Sequence, residues 1–453
     1  AGTIELAGGI FDVEKTLNLG GTLTVTAAAT IDILTAMTFA YTGTAITIGA
    51  YTLTMAGAGT FTGGLITSVS TSSIINKTGT GEISGPITLD GGKIDVDNSF
   101  TLSGLLTIGG DSIIDVLGVY GGENSATIKT LIYTGLSVNL DAYTMTLQGG
   151  GTITNSNDFV LNHGDSELLL NGITLTNAST SINSLGLDVN ADSTVTSLTI
   201  GHITPVKIAT EKTLSGAITM TAGSIKLSET GKLASTIALN GGILDVDANM
   251  TISGLITQSG DSIIDVQGGE LPGKTLTSNI TIGAKLTLQG GGTISGAITL
   301  NGGTLLVSSI FTLSGALTVT DSSTINIANK LIYGGAAITI AAYTLTMDGV
   351  GAFINTNALI TSNASSIINK TGTGEISGPI TLADGGKLYV DKAFTLGGLL
   401  TITNGVLNIA TNEILKLSNG LKYTDGTITN NGTIVLAGTF DVEKTLNLGG
   451  TLT

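Results

Sequence analysis

Three pairs of carboxylates have the residue type and spacing for chemistry. Asp95 and Asp97, Asp245 and Asp247, and Asp111 and Asp115 recur at equivalent places in similar stretches. Acids two residues apart, around an inward Val96 or Val246, project from the same side of a strand. There they could work as a general acid and base or hold calcium. A solvated acidic face is the expected reading, with a weak calcium site and catalysis as alternatives. The two histidines, His163 in NHGDSE and His202 in GHITP, stand beside none of these clusters. With no Cys in the chain they read as surface or turn residues. No catalytic, cofactor-binding or metal-binding residue is assigned, and no cofactor is expected.

Other groups are bland for physical reasons. The glycine runs Gly149-Gly150-Gly151 and Gly290-Gly291-Gly292 lack the Gly-Lys-Ser/Thr and the helix of a phosphate cradle, so they read as corners. Thr-x-Thr pairs at Thr22/Thr24, Thr42/Thr44, Thr60/Thr62 and Thr78/Thr80 step at nearly regular spacing and suggest an aligned hydroxyl array, the pattern of an ice-binding surface. With 75 Thr in the chain, many such pairs arise by chance. Glycosylation sequons occur at Asn76, Asn177, Asn249, Asn279, Asn363, Asn369 and Asn431, the number that composition alone produces.

Composition excludes several classes. The 453 residues carry a net charge of −16, and all 17 basic residues are Lys. Without Arg and with this acidity, nucleic acid is not an expected partner. With 41% hydrophobic and 11% charged residues the chain is too apolar for a disordered acidic polymer. No apolar run approaches the roughly 20 residues of a membrane-spanning helix. Zero Cys removes disulfides and thiolate metal sites.

The elements that must position these residues come from repeats. GTIELAGGIFDVEKTLNLGGTLTV (Gly2–Val25) returns as GPITLDGGKIDVDNSFTLSGLLTI (Gly85–Ile108) and STIALNGGILDVDANMTISGLIT (Ser235–Thr257). It returns again as GAITLNGGTLLVSSIFTLSGALTV (Gly296–Val319), GPITLADGGKLYVDKAFTLGGLLTI (Gly378–Ile402) and GTIVLAGTFDVEKTLNLGGTLT (Gly432–Thr453). SSIINKTGTGEISGPITL occurs at Ser72–Leu89 and again at Ser365–Leu382. FDVEKTLNLGGTLT occurs unchanged at Phe11–Thr24 and Phe440–Thr453.

Apolar residues alternate with Thr, Asp, Asn or Lys, as in Ile94-Asp95-Val96-Asp97, which is the period of a half-buried strand. Gly, Gly-Gly or Asn-Gly separates runs of three to five residues, supplying corners. Strands start six or seven residues apart, so three make a turn. The predicted fold is all-β: a single parallel β-solenoid (β-helix) over residues 1–453, of about 20–21 coils, each of roughly 20 residues with three short strands. At about 4.8 Å per coil it would be a rod on the order of 100 Å long. Ile, Leu and Val should fill the narrow interior, where Trp and most aromatics would not fit. Pro should lie at corners, as Pro86 and Pro379 do in the repeat. The stretch from Leu117 to Asn190 is least regular and is the expected place for an insertion.

Short Gly-Thr-Leu-Thr-Leu strands with Asn-Gly and Gly-Gly corners resemble bacterial surface β-solenoids, in particular autotransporter passengers and filamentous-haemagglutinin-type adhesins. The resemblance implies a secreted, extracellular or cell-surface rod without enzyme activity: a filament, sheath or stalk, or alternatively an adhesin that binds glycans or neighbouring cells. Ice-binding or polysaccharide-active β-helices are a third possibility. Residues 430–453 repeat the start (2–24). They therefore predict a super-repeat of about 429 residues within a longer fibre protein, or else a subunit that stacks head to tail on itself.

Overall fold

A computed structural model describes residues 2–116, 130–134, 138–140, 143–155, 159–161, 167–177, 180–182, 186–200, 206–227, 231–267 and 273–453. Among these residues every regular element is a strand. The strands pair in parallel with the equivalent strand one turn later, which makes an all-β parallel β-solenoid of together about 20 turns. Among the described residues no helix is long and apolar enough to cross a membrane.

The chain forms two compact units, Ala1–Ile225 with Glu229–Ser235, and Lys226–Ser228 with Thr236–Thr453. In the first unit the strands distribute over three faces. The first face carries Gly9–Val13, Ala29–Ile33, Thr52–Gly57, Ile74–Lys77, Gly92–Val96 and Ser112–Val116. Its register stacks Phe11, Ile31, Met55, Lys77, Val96 and Val116 in one inward column. Each member of the column lies one turn of the chain after the last. The third face stacks Leu23, Ile46, Ile66, Ile87 and Leu106 in the same way.

The second unit repeats the plan. Leu305, Ile325, Met347, Lys370, Val390 and Ile409 form the matching first-face column. Some strands run through a corner and serve two faces, as Thr38–Ile48 does in the first unit and Leu400–Ile409 and Leu421–Asn430 do in the second.

Alternation explains the layering. Along Gly92–Val96 the residues Gly92, Ile94 and Val96 are buried, and Lys93 and Asp95 are half-buried on the outside. A coil cannot bury its apolar side alone, and its ladder groups are satisfied only by the coils on either side. The turn from Asp115 to its register partner Gln148 is longer than the turns before it, and much of the irregular stretch from Leu117 to Asn190 lies outside the described residues.

The expectation that aromatics would not fit inside is corrected. Phe39, Tyr41, Phe61, Tyr133, Phe311 and Phe353 are among the largest fully buried side chains. Phe39 packs between Phe11 and Phe61, with ring centroids 5.6 and 5.5 Å away. Phe39 and Phe61 occupy one column on consecutive coils and meet edge to face, while Tyr333 and Phe353 stack at 22°. Each interior Tyr also needs a partner for its hydroxyl, and finds it at a corner. The Tyr333 hydroxyl donates to the Ala336 carbonyl (2.7 Å) and accepts the Leu317 N–H (3.1 Å).

Candidate functional site

The outward carboxylates of the first unit lie on the first face. Register places Asp95 beside Asp115 on consecutive coils, with Asn76 before them and Gln148 after. The Lys93 ammonium bridges the two acids, 3.2 Å from Asp95 Oδ2 and 2.8 Å from Asp115 Oδ2. Gln148 Nε2 donates to the same Asp115 oxygen at 3.0 Å. Burial pulls the Lys93 pKa down, but the hydrogen bonds and charges of Asp115 and Asp95 outweigh it and the net shift is upward. Burial raises the Asp95 carboxyl, and Lys93 opposes that.

Asp111 lies at the corner before the strand, where Oδ1 accepts the Thr144 N–H at 2.8 Å. These acids close corners and hold an ammonium. The solvated acidic face of the sequence reading is here an ion-paired, half-buried row. The row has a groove beside it of about 590 Å³, lined by Ile74, Lys93, Asp111, Ile113, Thr144 and Thr146 among others.

In the second unit, Lys226 holds Asp247 at 2.7 Å and Asp245 at 3.7 Å. Burial, then repulsion by Asp247, raises Asp245. Asp265 follows Asp245 in register and accepts Gln289 Nε2 at 2.8 Å, as Asp115 accepts Gln148. No cluster of three or more His, Asp or Glu among the described residues is placed to hold a metal ion. His163 and His202 lie outside the described residues.

The glycine runs are corners. A β-carbon on Gly149 would lie 2.3 Å from Asp115 Oδ1, and one on Gly290 the same distance from Asp265 Oδ1. The backbone carbonyl oxygens of Val116 and Val266 lie 2.4 Å from the same β-carbons, and both glycines have positive φ, which is why only Gly serves there. Several sequon asparagines also close corners: Asn249 Oδ1 accepts the Thr275 N–H and Asn279 Oδ1 the Ala297 N–H, each at 3.0 Å. Asn76 and Asn369, equivalent in the duplicated stretch, each keep a buried Oδ1 without a hydrogen-bond partner. The side chain of Asn177 lies outside the described set.

The Thr-x-Thr pairs do not form one array. Thr22/Thr24 are on the third face and Thr60/Thr62 on the second, where Phe39 stacks on Phe61, while Thr42/Thr44 flank a corner at Gly43 and Thr78/Thr80 follow a strand end. A different set aligns. Thr24, Thr47, Thr67, Thr88 and Thr107 stack in single file on the third face of the first unit. Thr257, Thr281, Thr299 and Thr318 do so in the second.

Two residues outside those motifs stand apart among the described residues. Lys77 and Lys370 point inward, each 2% exposed. Lys77 Nζ donates to the Gly79 carbonyl at 2.6 Å and to the Met55 carbonyl at 3.3 Å, and lies 5.6 Å from the centroid of the Phe100 ring. Lys370 Nζ donates to the Gly372 carbonyl and lies 5.4 Å from the Phe394 centroid. Burial lowers both pKa values to about 8, against an upward pull from Asp32 on Lys77 and from Asp348 on Lys370. The signal was present in IINK: if Ile75 points inward, Lys77 must as well.

No family model, curated protein or solved structure matches the chain. The β-solenoid fold is consistent with a structural or adhesin-like repeat protein.

Proposed function

We propose that the protein is a non-enzymatic structural protein that forms an extracellular filament, sheath or stalk by stacking coil on coil. One observation carries this reading. The identical segments Phe11–Thr24 and Phe440–Thr453 are used in different ways. Phe11–Val13 lies on the first face and pairs with the later strand residues Ile31–Ile33. Phe440–Val442 pairs with the earlier residues Leu421–Tyr423, which stack on Leu400–Ile402 of the third face.

The same residues thus accept a neighbour on either face. A coil of this grammar does not prescribe which coil comes next, and that interchangeability allows stacking to extend, whether the next coil belongs to the same chain or to another copy. The outward surface suits such a fibre: paired Lys and Asp with a net charge of −16 oppose non-specific clumping.

Electron microscopy of the native material, with the intact mass of its polypeptide, tests the reading. Long uniform fibres of one coil's cross-section are expected. Isolated short rods would overturn it.

A further inference from the structure

Interchangeable coils raise a problem the fold must solve. If any coil stacks on any other, a repeat can pair with the wrong neighbour, one coil early or late, and lose little. In the inward column of the first unit, Ile31, Met55, Val96 and Val116 are all aliphatic or thioether side chains of similar size, and in the second so are Leu305, Ile325, Met347, Val390 and Ile409. Swaps among them conserve volume and cost little.

Lys77 and Lys370 break that degeneracy. They are the only charged side chains buried among the described residues. Each draws on three consecutive coils. The coil before supplies Met55 or Met347 as the column neighbour, and Met55 also supplies a carbonyl. The lysine's own coil supplies the carbonyl of Gly79 or Gly372. The coil after supplies the Phe100 or Phe394 ring.

Glycines bring the coils close together beside each lysine. A β-carbon on Gly79 would lie 1.8 Å from the Gly57 oxygen, and one on Gly81 1.7 Å from that of Gly59. At the second place, Gly372 passes over Gly349 (2.1 Å) and Gly374 over Gly351 (1.8 Å). Only glycine-over-glycine corners let the coils close around the ammonium. In a slipped register the ammonium keeps the carbonyl of its own coil but loses the ring of the coil after or, at Lys77, the Met55 carbonyl of the coil before, and a buried charge short of partners is strongly disfavoured.

We propose that Lys77 and Lys370 are register locks: two interior ammonium groups, each caged by three consecutive coils, that hold the repeats in a single stacking order. The lock acts on order rather than on net stability, because burying an ammonium costs much of what its contacts return. It is independent of whether the coils continue into a filament.

The test is refolding of the full chain from denaturant, followed by hydrogen exchange with mass spectrometry. The wild type should return to one population with a single protection pattern. The double variant Lys77→Met, Lys370→Met should regain the same far-ultraviolet spectrum but show two or more protection populations in peptides from 53–116 and 345–409. Each single variant should show that heterogeneity only around its own site. A double variant that refolds to one wild-type-like population would overturn the proposal. So would a single variant that leaves no folded species, since the lysine would then be needed for stability and not for order.

Discussion

The N–H of Leu23 donates to the hydroxyl of Tyr41, 3.1 Å away and 18 residues later in the chain. The same hydroxyl lies 2.9 Å from the Gly21 carbonyl and 3.0 Å from that of Ala45. One phenol oxygen thus closes a corner where the ladder is interrupted between two coils.

Removing that oxygen isolates a buried donor. Tyr41→Phe should destabilise the first unit by about 1–3 kcal/mol, the cost of an unsatisfied buried group, because the ring still fills its space. Tyr333→Phe should do the same in the second unit, where the Leu317 N–H loses its acceptor. Denaturant midpoints of the two variants check this. Unchanged midpoints would mean that water or a local shift replaces the hydroxyl.

Glycine-over-glycine corners should tolerate no side chain. Gly79→Ala puts a β-carbon 1.8 Å from the Gly57 oxygen, and should cost at least the roughly 1–3 kcal/mol typical of overpacking. Gly2→Ala, with nothing within 4 Å of its β-carbon, should leave the melting temperature unchanged. Equal melting temperatures for the two variants would contradict the tight stacking.

The interior lysines set a pH dependence with a definite sign. Their folded-state pKa is about 8, below the ordinary lysine value of 10.5. Between those values the unfolded chain binds more protons than the folded one, so stability rises with pH across that window. The gain is absent below pH 8 and complete above 10.5. Asp32 and Asp348, which favour the charged form, limit the effect without reversing it. The melting temperature of the wild type, relative to the Lys77→Met, Lys370→Met variant, should therefore climb from pH 7.5 to pH 10. A difference that stays flat would place both lysines at ordinary values.

The outward ion pairs should matter far less. Lys93→Ala removes a bridge between two half-buried carboxylates, in contact with water. A loss of no more than about 1 kcal/mol is expected, shrinking in high salt. A larger, salt-independent loss would show that the Asp95–Asp115 row is a structural core element.

Much of the fold was legible because its determinants are local. In Ile94-Asp95-Val96-Asp97 the alternation needs only the strand itself, and it correctly sets which residues face in. Gly149 and Gly290 read as corners for an equally local reason. The candidate site was less legible. Asp95 and Asp115 are separated by a full turn of chain, and nothing near either predicts that Lys93 reaches both. The Thr pairs Thr22/Thr24 and Thr60/Thr62 were grouped by spacing, yet they fall on different faces. Coils differ in length: the step from Ile31 to Met55 takes more chain than the step from Lys77 to Val96.

The order of amino acids alone sets the parallel β-solenoid, the average length of its turn and the inward or outward sense of alternating strand residues. These follow from a period of two and from Gly at the corners, and both act within a few residues. Which face each strand occupies, and which coil lies on which, is settled only in three dimensions. Face assignment depends on the summed lengths of all preceding corners, and ladder partners lie a whole turn away in the chain. Hence the identical segments Phe11–Thr24 and Phe440–Thr453 differ in face.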